Sequence, residues 1–199
     1  MAHDRLAVHA RPRRLAEPLR QFWSVAVRRV CILASASGSG KTTLGRALAD
    51  RLGVPFHELD ALNHDPGWKE ATSAELRARV EPLVAGPAWV IDGAYRSKLG
   101  DLVLARSDTV VWLDLPRRVW LPRLLRRTAR RLVMREELWN GNRETLRGVL
   151  WDDNALIPFA WRSFSDRRRR YPTVLAPYPV VRLRTSREVQ RFLTTVDSR

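Results

Sequence analysis

The stretch from Ser35 to Thr42 has the composition and order that a phosphate-binding loop needs. It reads Ser-Ala-Ser-Gly-Ser-Gly-Lys-Thr and lies between an apolar run and an amphipathic segment. Backbone N–H groups can surround phosphate oxygens only where side chains leave room, and Gly38 and Gly40 provide that room. Lys41 can reach the β- and γ-phosphates of a nucleotide, and the Thr42 hydroxyl can bind Mg²⁺. The predicted residues for binding ATP are Ser37, Gly38, Ser39, Gly40, Lys41, Thr42 and Thr43.

A serine stands at the first position of this loop. The Walker A pattern places glycine eight residues from its end, where this chain has Ser35. We therefore expect Ser35 to adopt the loop's backbone without the conformational freedom of glycine. The apolar run, the Gly-x-Gly-Lys-Thr sequence and the helical segment together favour a phosphate site over an unrelated glycine turn.

Phosphoryl transfer also requires an acidic residue near Mg²⁺, at the end of a neighbouring strand. Two aspartates qualify: Asp92 ends the run Trp89-Val90-Ile91, and Asp114 ends Val110–Leu113. We favour Asp92 as the metal residue, because Asp114 comes just before Pro116 and could be only a turn or helix cap.

These residues must be positioned by strands that alternate with helices. Apolar runs predict five strands, at residues 30–34, 54–58, 88–91, 109–113 and 180–183. Amphipathic spacing and capping residues predict helices at 42–52, from 72 to the break at Gly86-Pro87, at 97–106, at 116–133 and from 185 to 193. Residues 136–164 are predicted to be helical in places, with interruptions near Gly141-Asn142 and Pro158. In the helix at 116–133 the leucines predicted to face inward are Leu121, Leu124, Leu125 and Leu132. The alternation predicts a parallel sheet covered on both faces.

The order of these motifs resembles that of adenylate kinase and related small kinases. Asp92-Gly93-x-x-Arg96 follows the loop, and Leu113-Asp114-x-Pro116 comes next, followed by a basic helix. Further segments resemble the branch called topology modulation proteins: His57–Leu62, Pro66–Trp68 and Gly141–Glu144. The resemblance implies a three-layer α/β P-loop NTPase fold. It also implies a five-stranded parallel sheet in the order 2-3-1-4-5 and a helical lid at about residues 123–170.

The same resemblance assigns roles to matching residues. The glycines with Lys41 would hold the phosphates of ATP, while Thr42 and Asp92 would hold Mg²⁺. Arg96 matches an arginine that contacts acceptor phosphate in adenylate kinases. Arg123 and Arg127 match arginines that flank the transferring phosphoryl group, although they could equally lie on a solvated helix face.

The acceptor side departs from adenylate kinase. Where adenylate kinases carry Thr-Gly-Asp-x-x-Arg, this chain has Glu58-Leu59-Asp60, which resembles shikimate- and gluconate-type kinases. Asp60 could be a general base or position the acceptor hydroxyl, or it could be an ordinary loop aspartate. Its predicted neighbours in the acceptor pocket are Trp68, Arg77 and Tyr95. The acceptor is therefore either a small hydroxylated metabolite, which we favour, or a nucleoside monophosphate.

Length and composition favour one cytoplasmic domain. With 199 residues, 45% of them apolar, the chain can bury a core without disulfides. Cys31 is the only cysteine, which excludes an intramolecular disulfide and suits a reducing compartment. No apolar run approaches the length of a membrane-spanning helix. We predict a basic extension at residues 1–28 and a P-loop kinase domain at 29–199.

The charge balance predicts anionic partners. The 36 Lys and Arg residues against 21 Asp and Glu give a net charge of +15, and nearly all of the excess is arginine. Arginine suits phosphate, but charge alone does not separate a nucleotide from a nucleic acid or an anionic membrane. The run Arg167–Arg170 could close over ATP, bind nucleic acid or simply be solvated. A nucleic-acid-associated ATPase is the alternative to the kinase, although no helix-turn-helix signature or module of basic and aromatic residues supports it.

Overall fold

The computed structural model describes residues 27–150 and 155–196 of the chain. Most of the predicted extension at residues 1–28 therefore lies outside the described residues. Val27 is buried in the core, and the Arg28 carbonyl accepts a 2.7 Å hydrogen bond from the Trp89 N–H. The extension and the domain boundary stay predictions. No helix in the described ranges is long and apolar enough to cross a membrane.

The described residues form a central sheet of five parallel strands. These are β1 (Arg29–Ala34), β2 (Phe56–Glu58), β3 (Trp89–Asp92), β4 (Thr109–Leu113) and β5 (Val180–Leu183). Their order in the sheet is β2-β3-β1-β4-β5, which confirms the predicted order 2-3-1-4-5. A separate two-stranded hairpin pairs His64–Asp65 with Lys69–Glu70. Because β1 is central, its apolar residues are buried on both faces.

Helices cover both faces of this sheet. The described helices are α1 (Lys41–Leu52), α2 (Leu59–Asn63), α3 (Ser73–Ala85), α4 (Arg96–Leu99), α5 (Arg117–Met134), α6 (Leu146–Leu150), α7 (Leu156–Val174) and α8 (Ser186–Val196). Val30 and Ile32 belong to an apolar cluster with α1 and α8, while Cys31 and Leu33 belong to the opposite cluster with α3. Successive residues of β1 thus face opposite layers, which confirms the three-layer α/β fold.

Two local predictions are wrong: the single helix at 97–106 and the inward orientation of Leu125. The single helix expected at 97–106 is instead the short α4 and a separate 3₁₀ turn at Leu104–Arg106, since the chain turns at Gly100 with φ 60°. The predicted interruption near Pro158 agrees with the non-helical Ala155 just before α7, and Pro158 itself lies in the first turn of α7, where a missing N–H leaves no helical bond unmade. Leu125 does not face inward: its side chain is 46% exposed, whereas the neighbouring Leu124 is fully buried.

A small third core joins the predicted lid to the phosphate loop. Its buried members are Ala36, Trp120, Leu124, Ala160 and Phe164, which come from the loop, α5 and α7. A Cβ added to Gly38 would lie 2.8 Å from both the Leu124 Cβ and the Trp120 carbonyl oxygen. Glycine at this position therefore allows α5 to pack directly on the loop.

Candidate active site

The loop between β1 and α1 has the geometry of an anion cradle. Gly38 and Gly40 have φ of 79° and 89°, a left-handed backbone that side chains disfavour. Gly40 is the N-cap of α1, no side chain caps the helix, and its first turn carries no acidic residue. The first N–H groups of α1 are thus available to an anion at the positive end of the helix dipole. The Ser39 hydroxyl stabilises the loop by donating to the Ala36 carbonyl at 2.8 Å.

Ser35 fits its position without glycine's freedom. It is not among the described non-glycine residues that have positive φ. Its buried hydroxyl donates to Asp114 Oδ1 at 2.9 Å and accepts from Trp112 Nε1 at 2.9 Å. The other oxygen of Asp114 accepts from Arg182 Nη2 at 2.6 Å. Asp114 is therefore engaged in holding the start of the loop against β4 and β5.

Asp92 lies at the first turn of α1 and contacts both side chains predicted to act there. Lys41 Nζ is 2.9 Å from Asp92 Oδ1, and the Thr42 hydroxyl donates to Asp92 Oδ2 at 2.8 Å. Burial opposes the charge of Lys41, but the carboxylates of Asp92 and Asp60 outweigh it and raise the pKa of Lys41. Burial also raises the pKa of Asp92, against the opposing effects of Lys41 and Thr42. Of the two aspartates considered from sequence, Asp92 is the one beside Lys41 and Thr42.

Asp60 lies on α2, near enough to Lys41 and Asp92 for its charge to act on both. It accepts a 2.6 Å hydrogen bond from the Tyr95 hydroxyl. The negative charge of Asp60 stabilises the protonated forms of Lys41, Asp92 and Arg127. It therefore acts to raise the pKa of each group, although burial lowers the pKa of Arg127 overall. An acid from the β2 end of the sheet and the lysine of the loop therefore meet across one site.

The predicted arginines have different surroundings. Arg127 is half-buried, and its Nε–H is buried without a hydrogen-bond partner. Burial lowers the pKa of Arg127, and Arg131 adds to that effect against the opposing charge of Glu144. A guanidinium stays charged, so this unpaired donor suits an incoming anion.

Two other predicted arginines are engaged elsewhere. Arg123 is exposed and donates to the Ser186 hydroxyl at 3.2 Å, at the start of α8. Arg96 pairs with Asp101 through an Nη2 to Oδ1 distance of 2.6 Å. The structure therefore brings Arg127 to the site but leaves Arg96 and Arg123 at its periphery.

The arginine run on α7 divides into two parts. Arg167 Nη1 points to the Ala34 carbonyl at 3.4 Å, and its charge lowers the pKa of Lys41 against the stronger effect of the carboxylates. Arg169 and Arg170 instead pair with Asp166 on the surface of the helix. Arg167 thus contacts the end of β1, where the phosphate loop begins, and Arg168 Nε lies 3.4 Å from Asp114 Oδ2.

A segment of the predicted lid forms one wall of the site. Trp139 Nε1 donates to Glu58 Oε2 at 2.9 Å, and Asn140 Nδ2 donates to the His64 carbonyl at 2.6 Å. The buried Asn142 accepts from the Trp68 N–H at 2.8 Å and donates to the Asp65 carbonyl at 3.0 Å. We call residues 139–142 the lid clamp. Sequence reasoning missed Trp139 and Asn140, and it noticed Asn142 only as part of a motif.

Trp68, which was predicted to contact substrate, belongs to this wall. Its indole Nε1 donates to the Arg143 carbonyl at 3.1 Å, and its ring contacts His64 and Trp139 edge to face. Arg77, another predicted neighbour, donates instead to the Leu99 carbonyl. Trp68 therefore supports the pocket through the clamp.

Backbone strain concentrates at the same place. Trp68, Tyr95 and Asn140 have φ of 61°, 43° and 56°, and they are three of the four non-glycine residues with positive φ in the described ranges. Such conformations cost free energy and are held only where surrounding contacts determine them. Their position around Asp60 marks this pocket as the constrained part of the fold.

Comparisons with known proteins match this part of the chain. A family model described as shikimate kinase matches residues 37–66, which include the phosphate loop and Asp60. The shikimate kinase of Salinispora tropica is 64% identical over 31 residues, or 16% of this chain and 19% of that protein. That of Gloeobacter violaceus is 34% identical over 99 residues, or 41% of this chain and 54% of that protein. The chain therefore matches less than two thirds of the length of these relatives.

Solved structures agree on the fold. A shikimate kinase from Bacteroides thetaiotaomicron has a TM-score of 0.50 at 17% identity, over 85% of this chain and 96% of that chain. One from Acinetobacter baumannii, solved in complex with shikimate, has a TM-score of 0.51 at 19% identity, over 90% and 95% of the two chains. This chain has the P-loop kinase fold. The narrower assignment to the topology modulation protein branch stays a prediction.

Proposed function

We propose that this chain is an ATP-dependent kinase that transfers a phosphoryl group to a hydroxyl of a small metabolite. The observation that carries the proposal is that Lys41 and Thr42 of the phosphate loop both contact Asp92, within reach of the charge of Asp60. Such a site needs a cation for the transferred group, an acid for the metal and an acid for the acceptor hydroxyl.

The phosphate side of the site suits ATP and Mg²⁺. The uncapped N-terminus of α1 and the left-handed glycines offer backbone N–H groups to the phosphates. Thr42 and Asp92 present oxygen atoms within 2.8 Å of each other, and oxygen is the ligand type that Mg²⁺ prefers. These two residues would hold the metal, which neutralises charge on the phosphates when bound. Lys41 orients the terminal phosphates.

The acceptor side suits a hydroxylated metabolite. One oxygen of Asp60 accepts from Tyr95, which leaves the other free to accept a proton or a hydrogen bond from the acceptor hydroxyl. The named relatives phosphorylate or bind shikimate according to their names, so a cyclic hydroxy acid is the first acceptor to test. A nucleoside monophosphate is less favoured, since Arg96 is already paired with Asp101.

Arginines contribute electrostatic stabilisation. Arg127 has a buried, unpaired Nε–H, and negative charge that develops on the transferred group would pair with it. Arg167 lies close enough to the loop to add positive charge from the lid side. Arg123 is a peripheral contact beside Ser186 at the start of α8. Closing this lid excludes water, which limits hydrolysis of ATP.

The test is an ADP-release assay on the full chain with Mg·ATP and a panel of acceptors. The panel contains shikimate, gluconate, AMP and CMP, with hydrolysis in the absence of acceptor as the baseline. We expect one hydroxylated acid to raise ADP release above that baseline and Asp60→Asn to remove the increase. Asp50→Asn, on the exposed side of α1, is the matched control and should retain it. Acceleration by no acceptor, or equal activity of Asp60→Asn, would overturn the assigned acceptor site.

A further inference from the structure

Outside the candidate active site, the described residues form an open groove of about 680 Å³ between the first turn of α5 and the middle of α7. Four arginines line it together with one aromatic ring and one hydroxyl: Arg117, Arg118, Arg168, Arg169, Phe164 and Ser165. No carboxylate is among the described residues that line this groove. We call it the arginine groove.

The charge of the arginine groove is only partly compensated. Arg117 and Arg118 are the first two residues of α5, at the positive end of the helix dipole, where cations are unfavourable. That end has no capping side chain and no acidic residue in its first turn. Asp166 pairs with Arg169, and Asp114 is 3.4 Å from Arg168 but is already bonded to Arg182. An anion in the groove would relieve this repulsion.

An aromatic surface lies beside these charges. The guanidinium carbon of Arg117 is 4.1 Å from the centre of the Trp161 ring and 5.1 Å from that of Phe164. Arg117 Nη2 also donates to the Ser165 hydroxyl at 3.0 Å, which holds the guanidinium in place. Trp161 is 47% exposed, so part of a large ring remains available for stacking.

We propose that the arginine groove and the exposed part of Trp161 bind single-stranded nucleic acid. Arginines neutralise successive phosphates, and a base stacks on an aromatic ring. The groove is open along the surface, so a polymer can pass through it, and an unpaired strand exposes the face of a base. The net charge of +15 favours the same partner.

This surface explains why sequence inspection found no module of basic and aromatic residues. The two helical segments that line the groove contain Arg117 and Ser165, which are 48 residues apart in the sequence. They come together only through the packing of α5 on α7. The proposed surface uses neither Lys41 nor Asp60. It therefore stands or falls independently of the proposed kinase activity.

The experiment measures fluorescence anisotropy of labelled single-stranded DNA and RNA 20-mers titrated with the full chain at several salt concentrations. In the double variant Arg117→Ala and Arg118→Ala, we expect weaker binding. We also expect the slope of the logarithm of the association constant against the logarithm of salt concentration to fall in magnitude by about 1 to 2. In Trp161→Ala, we expect affinity to fall about tenfold with an unchanged salt slope. Because Trp161 is exposed, this variant tests the surface even if the arginine variant folds poorly.

The matched control removes two positive charges elsewhere, from the exposed Arg106 and Arg187. We expect the variant with both of these changed to alanine to keep its affinity. Equal weakening by the control and groove variants would overturn the proposal in favour of diffuse attraction. So would an absence of binding at low salt, unchanged binding by Trp161→Ala, or tighter binding to phosphatidylserine vesicles than to the 20-mers.

Discussion

The Tyr95 hydroxyl donates to Asp60 Oδ1 across 2.6 Å, from a tyrosine whose backbone has φ of 43°. Burial raises the pKa of Tyr95, and the charge of Asp60 raises it further, so the phenol stays protonated. A protonated phenol donates a hydrogen bond, and the Asp60 carboxylate accepts it. The contact therefore holds one oxygen of the Asp60 carboxylate, and the proposed acceptor hydroxyl would bond to the other.

Tyr95→Phe tests that orientation, because it removes the donor and keeps the ring. We expect kcat with the identified acceptor to fall about tenfold, or about 1.4 kcal/mol, while KM for ATP changes little. Steady-state kinetics in both substrates provide the measurement. Tyr178→Phe is the control, since Tyr178 bonds to Asp101 away from Asp60. A Tyr95→Phe enzyme with unchanged kcat and acceptor KM would show that Asp60 needs no such orientation.

Lys41→Ala removes the cation of the phosphate site. We expect phosphoryl transfer to fall at least a hundredfold while the protein remains folded, because a buried charge for the transferring group is lost. ADP release and near-ultraviolet circular dichroism measure the two properties separately. Unchanged turnover would exclude the assigned phosphate site.

The same variant has a pH signature that is independent of activity. Without Lys41, Asp92 loses a charge that lowers its pKa, so burial raises that pKa further above its unfolded value. A carboxyl group with a raised folded pKa contributes most stability below the unfolded pKa, and this contribution is lost as pH rises through the folded pKa. We therefore expect the stability deficit of Lys41→Ala to grow as pH rises above about 4, measured by urea unfolding. A constant deficit would mean that Asp92 is not coupled to Lys41.

Structural elements that depend on a short run of contiguous residues could be predicted from the sequence. The phosphate loop and β1 depend on a short apolar run followed by glycines and Lys41, so local pattern was enough. Asp92, the favoured metal residue, lies beside Lys41 and Thr42 because parallel strands end at one edge of the sheet, and its role as a metal ligand stays a prediction. The sequence predicts that Ser35 adopts the loop's backbone without the freedom of glycine. It does not predict the hydrogen bonds of Ser35 to Asp114 and Trp112, because these residues lie 79 and 77 positions away.

The lid clamp could not be predicted for the same reason. Trp139 bonds to Glu58 across 81 residues, and Asn142 bonds to Trp68 across 74 residues. Neither spacing has a periodic signal, and both contacts depend on how α5 returns the chain to the acceptor side. Arg96 shows another limit of the sequence, since its motif predicts a contact with acceptor phosphate but not its ion pair with Asp101.

Asn142→Ala tests whether the lid clamp orders the acceptor wall. The change removes a buried side chain that pairs with Trp68 N–H and the Asp65 carbonyl, and it leaves these groups without partners. We expect the free energy of unfolding to fall by about 2 kcal/mol. Relative to the wild type, we expect hydrogen exchange to accelerate more at residues 64–68 than in the central sheet. Trp139→Phe, which loses the bond to Glu58 but keeps an aromatic ring beside Trp68, should show a smaller effect. Unchanged exchange at 64–68 in Asn142→Ala would show that the clamp does not order this wall.

Gly38 and Gly40 form a matched pair for the phosphate loop. Both have positive φ, so alanine strains either position by about 1 kcal/mol. A Cβ at Gly38 would also collide with Leu124 and Trp120, whereas one at Gly40 meets nothing within 4 Å. We expect Gly38→Ala to lower the free energy of unfolding by about 1 to 3 kcal/mol more than Gly40→Ala does, as measured by denaturant titration. Equal losses would mean that α5 does not pack on the loop as the structure places it.

Asp108 connects β1 to β4 at the end of the sheet opposite the phosphate loop, and its charge predicts how stability depends on pH. Its carboxylate accepts from the Arg29 Nη2 at 2.8 Å and from the N–H groups of Arg28 and Arg29 at 3.1 and 2.9 Å. Burial alone would raise the pKa of Asp108, but these donors hold it below its usual value. A depressed folded pKa gives stability that is present above the unfolded pKa and is lost as pH falls through the folded pKa.

We therefore expect Asp108→Asn to cost about 2 kcal/mol at neutral pH and progressively less as pH falls below about 4, because the wild-type carboxylate then becomes protonated. Urea unfolding at a series of pH values measures this difference. Asp166→Asn is the control: Arg170 also lowers the pKa of Asp166, but that pair is solvent-exposed, so its removal should change stability little. A cost for Asp108→Asn that does not change with pH would show that charge on Asp108 is not what joins β1 to β4.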